Sequence, residues 1–446
     1  GFTDGDGSYH RFDGFAVTGG TAYDAPPGVF LYLREDAAAP AAERWSLTRP
    51  DRVAFYFDAS GWPTSVKDRN GNRIEYTLAA PAAGDDVNGL GKRITKVTDA
   101  AGLGASPAPN RSFDIDYWTK AETTRPQLRG KIQRITDHVG HALRFDYYED
   151  GNLLRITEEG GTNADGSYLA DRWVVFNYVK QDASGAAISS ASARLSPDPK
   201  TVQSRRLYSL IDARGGESTF AYESAAGANK WRLTGRTNRL GKQTTFSYPS
   251  STTTHVVRPL GREEEFVFDT AGRVTQIKDP LNFGVGAVTS LTTVAWFTTG
   301  SRENLVQKVT QPHGTYVEFD YNANGYKTDE WDELRNHTVL AFENVAVDGN
   351  DVSGKWEPGR TIAHLSQLDT KTDPVGTATT GNATDYRWLF DYDAAGNLTL
   401  VTDPLGKTRT TVYNADGTVQ KETDGLLRDT VYNAYDANGL PTQVTD

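Results

Sequence analysis

Tyr392-Asp-Ala-Ala-Gly-Asn-Leu-Thr-Leu-Val-Thr-Asp403 is followed by Tyr413-Asn-Ala-Asp-Gly417 and then by Tyr435-Asp-Ala-Asn-Gly-Leu-Pro-Thr-Gln-Val-Thr-Asp446. The three tyrosines stand 21 and 22 residues apart, each has a glycine four positions on (Gly396, Gly417, Gly439), and each glycine has an aspartate seven positions later (Asp403, Asp424, Asp446). A fixed period of this length marks stacked supersecondary units, each too small to bury a core alone. The repeat therefore decides the fold.

The same frame recurs upstream as Phe57-Gly61-Asp68, Phe268-Gly272-Asp279 and Tyr321-Gly325-Asp332. A weaker copy is Tyr147-Gly151-Glu158, with Tyr148 where the turn acid belongs. Half-copies such as Val97-Thr-Asp99, Ile135-Thr-Asp137 and Ile211-Asp212 match the second turn of the unit, Val401-Thr-Asp403-Pro-Leu-Gly406.

Residue types give each unit its shape. In Lys407-Thr-Arg-Thr-Thr-Val-Tyr413 threonine, valine and tyrosine favour a strand, and Asn414-Ala-Asp-Gly417 is a turn, because Asx side chains bond the local backbone and glycine accepts positive φ. Thr418 to Thr423 returns as a second strand, and Asp424-Gly425 turns the chain again. Each unit is thus a β-hairpin joined to the next. Thr, Gln, Lys, Arg and Glu surround single Val, Ile, Leu or Tyr positions, which does not suit the wall of a packed sandwich. The expected fold class is all-β: tandem hairpins forming one long antiparallel sheet.

The 446 residues contain 43 Gly, and no segment approaches the roughly 18 consecutive apolar residues of a membrane helix. A net charge of −11 and the lack of a basic stripe argue against nucleic acid as a partner. With no Cys, disulfides and thiolate metal sites are excluded. The chain has no Met, opens at Gly1 and stops in repeat phase at Asp446, so an internal segment of a longer polypeptide is expected.

Residues 1–50 are more apolar, as in Phe12-Asp-Gly-Phe-Ala-Val17 and Gly28-Val-Phe-Leu-Tyr-Leu33, and read as an irregular β seam leading into an array over 51–446. Ala37-Ala-Ala-Pro-Ala-Ala-Glu43 is a loop or a short helical turn. Ala-, Ser-, Gly- and Asp-rich stretches near 184–204 and 345–384 read as loop insertions in the ribbon.

The Tyr-Asp-x-x-Gly-x-Leu-x-x-Val-Thr-Asp pattern of 392–403 and 435–446 resembles the tyrosine-aspartate (YD) repeat of the Rhs family, which includes bacterial Rhs polymorphic toxins, the C component of Tc toxins and the teneurins. The resemblance implies a ribbon coiled into a hollow shell that, in the toxins, encloses a C-terminal effector released by self-cleavage. It implies as partners that effector, in the same polypeptide, and secretion-system or surface components, in a secreted or cell-surface bacterial setting. The aspartate-based self-cleavage motif has no counterpart here: Asp373-Pro-Val-Gly376 and Asp279-Pro280 share two letters with it and sit at turns. At about 21 residues and two strands per unit, the chain supplies roughly 40 strands, or about 190 Å of ribbon at ~4.8 Å per strand. That is enough for about one turn of a wide coil some 60 Å across.

Competing chemistry finds little support. The acids fall at repeat-periodic turn positions, where Asp belongs structurally, rather than as a glycosidase pair. His138 and His141 form a lone His-x-x-His in a turn, and no Gly-x-Ser-x-Gly elbow is present. Asp4-Gly-Asp6-Gly-Ser8 opens like a calcium loop but has Tyr9 at the sixth position and Phe15 at the twelfth. Asp403-Pro-Leu-Gly406-Lys407-Thr408 ends like a phosphate loop but has Val401 at the first glycine position. No catalytic, cofactor or metal residues are assigned. The sequence thus favours a non-catalytic shell wall around a C-terminal effector, with a surface recognition module that stacks its 21 Tyr and 9 Trp on carbohydrate or protein as the alternative.

Overall fold

A computed structural model describes residues 1–3, 9–17, 20–26, 28–86, 89–99, 111–161, 169–180, 203–223, 232–279, 290–323, 325–342, 368–374, 386–393, 395–436 and 439–446. The calcium-like stretch Asp4–Ser8 and most of the two expected insertions lie outside them; Gln203 and Ser204 open a strand, and Leu368–Thr372 is a strand inside the second. The described residues form 34 β-strands, numbered β1 to β34 in chain order, with a few single turns of 3-10 helix.

Apart from a small pair, Phe2–Thr3 (β1) with Tyr9–His10 (β2), the strands from Asp13–Val17 (β3) to Pro441–Thr445 (β34) belong to one antiparallel sheet. Each strand with a recorded pairing joins its neighbours in sequence, as in the run from Arg387–Tyr392 (β29) through Leu398–Thr402 (β30), Thr408–Tyr413 (β31) and Val419–Thr423 (β32) to Asp429–Tyr435 (β33). The chain divides into two compact units, one of 1–75, 99–108 and 290–446, the other of 76–98 and 109–289.

Side chains along the strands are mostly half-buried on both faces. Long polar residues pair across strands, as Arg409 with Glu422 at 3.0 Å, Lys421 with Asp429 at 2.7 Å and Arg155 with Asp146 at 2.8 Å. Such pairs contribute only tenths of a kcal/mol to about 1 kcal/mol each, but they explain how a strand rich in Thr, Lys and Glu stays in register. A buried apolar cluster, Phe12, Leu33 and Leu47 with Phe2, Tyr23, Trp45, Phe55 and Phe57 against it, lies in the apolar N-terminal stretch.

Candidate functional site

The repeat positions converge on turns, and six of the described turns share one build. In the Asp403 turn, Asp403 N–H donates to Lys407 O and Gly406 N–H donates to Asp403 O, both at 2.9 Å; Oδ1 of Asp403 accepts from the amides of Leu405 and Lys407 at 2.8 and 2.9 Å. The pattern recurs at Asp58, Asp68, Asp269, Asp332 and Asp424. The fourth residue is left-handed, as at Gly61, Gly151, Gly272, Gly325, Gly396, Gly417 and Gly439, giving a type I turn closed by a left-handed residue. Bonds to the ionised carboxylate lower its pKa: the Arg428 side chain, then the amides of Arg428 and Leu426, hold Asp424 at about 2.

Two turns vary this build. In the Asp424 turn the left-handed residue is Leu427, at φ 63, and not the adjacent Gly425. Asp424 N–H reaches Arg428 O and Leu427 N–H reaches Asp424 O, so the turn starts at the acid and the glycine merely occupies its second place. Tyr148, in the acid position of the weak copy, is 1% exposed, and its hydroxyl donates toward Phe176 O at 3.1 Å, while Asp150 Oδ1 supplies the turn acceptor for Asn152 N–H.

Alternate turns lie on opposite edges of the ribbon, and the edges differ chemically. The edge that follows the repeat aromatic carries a β-bulge just before that residue: between Tyr56 and Phe57, Asp146 and Tyr147, Val267 and Phe268, Asp320 and Tyr321, Asp391 and Tyr392, and Val412 and Tyr413. The same bulge precedes Tyr117, Tyr178, Tyr222, Trp296 and Phe342, copies the sequence search missed. The bulge turns the aromatic back along the sheet. Tyr413 Oη donates to Leu398 O at 3.0 Å, Tyr147 to Ile132 O at 2.7 Å and Tyr392 to Leu368 O at 3.1 Å, in each case at the first residue of the preceding strand. Tyr435 does the same to Val419 O. Each of these four tyrosines thus fastens its hairpin to the one before. Burial pushes the Tyr147 hydroxyl up to about 12.

In the unit that holds both chain ends, the opposite edge of the early strands lies against the aromatic edge of the late ones. Arg52 Nη1 donates to Ala395 O at 3.0 Å and Asn72 Nδ2 to Asp416 O at 2.9 Å. A Cβ on Gly417 would lie 2.4 Å from Asn70 Nδ2, and one on Gly325 2.7 Å from the Phe30 ring. These repeat glycines serve twice: they take positive φ and leave room for the neighbouring edge.

Over residues 392–429 the chain matches the RHS Repeat family model. That segment is an Rhs repeat. No curated protein matches its sequence. Among solved structures, the chain is similar at 14% identity and a TM-score of 0.39 to the crystal structure of TcdB2-TccC3-Cdc42, covering 89% of this chain and 20% of that one. It is similar at 14% identity and a TM-score of 0.35 to the Photorhabdus luminescens Tc holotoxin pore, covering 93% and 19%. A porin-like protein from Bacteroides uniformis matches at 12% identity and a TM-score of 0.18, covering 44% of this chain and 89% of that one. The chain spans about a fifth of the length of the Tc chains it matches.

Elsewhere, His141 Nδ1 lies 3.2 Å from Asp137 Oδ2 while His138 is exposed, and among the described residues no three metal-ligating side chains converge. Asp373 accepts from Trp388 Nε1 at 3.1 Å, and no helix among the described residues is long and apolar enough to cross a membrane. The unit of 76–98 and 109–289 has a hollow of about 820 Å³ bordered by Arg93, Asp114, Asp116, Arg134 and Arg144, with Arg93 packed over the Tyr117 ring at 4.5 Å. With Glu122 also on its border, three carboxylates face the three arginines, so its formal charge is balanced.

Proposed function

We propose that this chain is a stretch of wall in an Rhs-type encapsulating shell, enclosing a C-terminal toxin or effector of a longer polypeptide in a secreted or cell-surface bacterial setting. The wall itself performs no catalysis in this reading. The observation that carries it is the edge-to-edge seam. A hairpin ribbon makes a barrier only if successive courses close against each other, and Arg52, Asn70 and Asn72 meeting the Ala395 and Asp416 turns is such a closure. The half-buried strand faces support the same reading, since a wall needs lateral cohesion more than a thick core.

The test is to express the chain together with whatever its gene encodes beyond Asp446 and treat the product with protease. An enclosed effector survives while the array is intact and is digested once the array is unfolded. A following segment digested at the same rate in both states, or one carrying a wall anchor, overturns containment in favour of surface recognition.

A further inference from the structure

Asn70-Gly71 stands in the Asp68 turn, at the seam. Of the four Asn-Gly pairs in the sequence it is the one whose asparagine lies among the described residues; Asn88, Asn324 and Asn438 lie outside them. Other turn asparagines are held by their carboxamides. Asn72 Nδ2 donates to Asp68 Oδ2 at 2.8 Å, Asn336 Nδ2 to Asp332 Oδ2 at 2.8 Å, Asn397 Nδ2 to Asp393 Oδ2 at 3.0 Å and Asn414 Nδ2 to Thr418 Oγ1 at 2.9 Å. The Asn70 carboxamide makes no hydrogen bond among the described residues and packs on the bare Cα of Gly417. Gly71 has φ 86 and nothing within 4 Å of a Cβ position, so no side chain shields its nitrogen.

An untethered carboxamide followed by glycine is the arrangement in which asparagine converts itself to an acid. The Gly71 nitrogen, its proton lost to solvent base, attacks Cγ of Asn70. The Cγ–Nδ2 bond breaks, ammonia leaves and a succinimide ring forms. Water then opens the ring at either carbonyl, giving aspartate or isoaspartate; one water is consumed, one ammonia is released and nothing is oxidised or reduced. We propose that Asn70 is a self-modification site whose conversion loosens the seam. The product places a carboxylate against the Gly417 turn, between the acids Asp68 and Asp416. Isoaspartate also lengthens the backbone of a turn in which Gly71 N–H donates to Asp68 O at 3.1 Å. Both changes disfavour the bond from Asn72 to Asp416 O. The Gly71 bond must open before the attack, so the change is slow and runs one way. The site depends on the seam and not on what the wall encloses.

Peptide mapping of the 446-residue chain, held in mild alkali in isotopically labelled water, tests this. Asn70 should become an acid carrying one labelled oxygen, partly as isoaspartate. Asn72, Asn336, Asn397 and Asn414 should convert at least about tenfold more slowly, each being restrained by a hydrogen bond and followed by a side chain. In the converted chain hydrogen exchange in the Asn414 turn should rise about tenfold, and Asn70→Asp made directly should reproduce part of that rise. Asn70→Gln, which keeps a carboxamide and closes a ring less readily, should stay an amide and keep the slow exchange. A native chain whose Asn70 remains an amide long after the denatured chain has lost it overturns the proposal. Conversion that leaves exchange in the Asn414 turn unaltered overturns it as well.

Discussion

Asn72 Nδ2 donates to the backbone oxygen of Asp416 at 2.9 Å, a bond between residues 344 positions apart. Arg52 and Ala395 make a parallel contact 343 positions apart. Both cross from the tip of one turn to the tip of another, so they add little to the sheet and much to its closure. Arg52→Ala with Asn72→Ala should leave the melting temperature nearly unchanged. Hydrogen exchange in the Asp393 and Asn414 turns should accelerate about tenfold, the loss of roughly one net hydrogen bond at each turn. The Asp436 turn, whose Gly439 faces open space, is the internal reference. Unaltered exchange at Asn414 would count against the seam.

The repeat glycines separate into two kinds. Gly417 has φ 88 and Asn70 packed on it, whereas Gly439 has φ 76 and free space. Alanine at Gly439 should cost only the left-handed penalty, about 1–2 kcal/mol. At Gly417 both Ala and, more severely, Val should cost more, because the Asn70 amide must move as well. Asp416→Asn keeps an acceptor for Thr418 N–H and should shift stability by less than about 0.5 kcal/mol. Chemical denaturation of the four variants decides the ranking, and equal losses for Gly417→Val and Asp416→Asn defeat the turn assignment.

Leu427 pays for its left-handed backbone at φ 63 without the freedom of glycine. Leu427→Gly should therefore raise stability by about 1 kcal/mol in a dilute sample. A destabilised Leu427→Gly would show that the leucine side chain is needed within the chain.

Tyr413→Phe removes one hydroxyl bond, to Leu398 O, and should cost about 1 kcal/mol. The loss should appear as faster exchange in the hairpins of β29 to β32, since the tyrosine joins one hairpin to its predecessor. A uniform effect across the chain would contradict a local fastening.

Acid and alkali should attack different parts of the chain. The depressed value of about 2 at Asp424, with Asp332 lowered by Asn336 and Asp416 by Thr418, gives a contribution that is full above about pH 4 and lost as pH falls towards 2. Tyr147, raised by burial to about 12, contributes fully below about pH 10 and loses that contribution as pH rises through 12. A plot of melting temperature against pH should be flat through neutrality and fall at both ends. Asp424→Asn should soften the acid fall and Tyr147→Phe the alkaline one. Identical profiles for the variants and the wild type would dissociate the turns and staples from stability.

The copies at Tyr392, Tyr413 and Tyr435 were legible because aromatic, Asx and glycine all persist in one frame. Those at Tyr117, Tyr178, Tyr222, Trp296 and Phe342 keep the aromatic and its bulge but have different or longer connectors, so a search keyed to the turn glycine passes over them. Asp424-Gly425 does turn the chain, but the left-handed place falls to Leu427, which the Asp424 hydrogen bonds set and residue type does not announce. The seam was not legible at all. Which turn meets Asp416 depends on the accumulated width of every strand and bulge in between, a quantity no local motif records.

The bulge before each repeat aromatic has a bearing on how such chains change over generations. In an uninterrupted strand ladder, one inserted or deleted residue would swap the inward and outward side chains of everything paired after it. Here the strand phase is set afresh at most of the described turns by an Asx side-chain oxygen and a left-handed fourth residue, and each bonded repeat tyrosine refers only to the strand just before it. A frame error is thus confined to a single hairpin. For the same reason a whole unit of about 21 residues can be duplicated or lost while its neighbours keep their own bonds, and such an array can lengthen or shorten by copying without being redesigned.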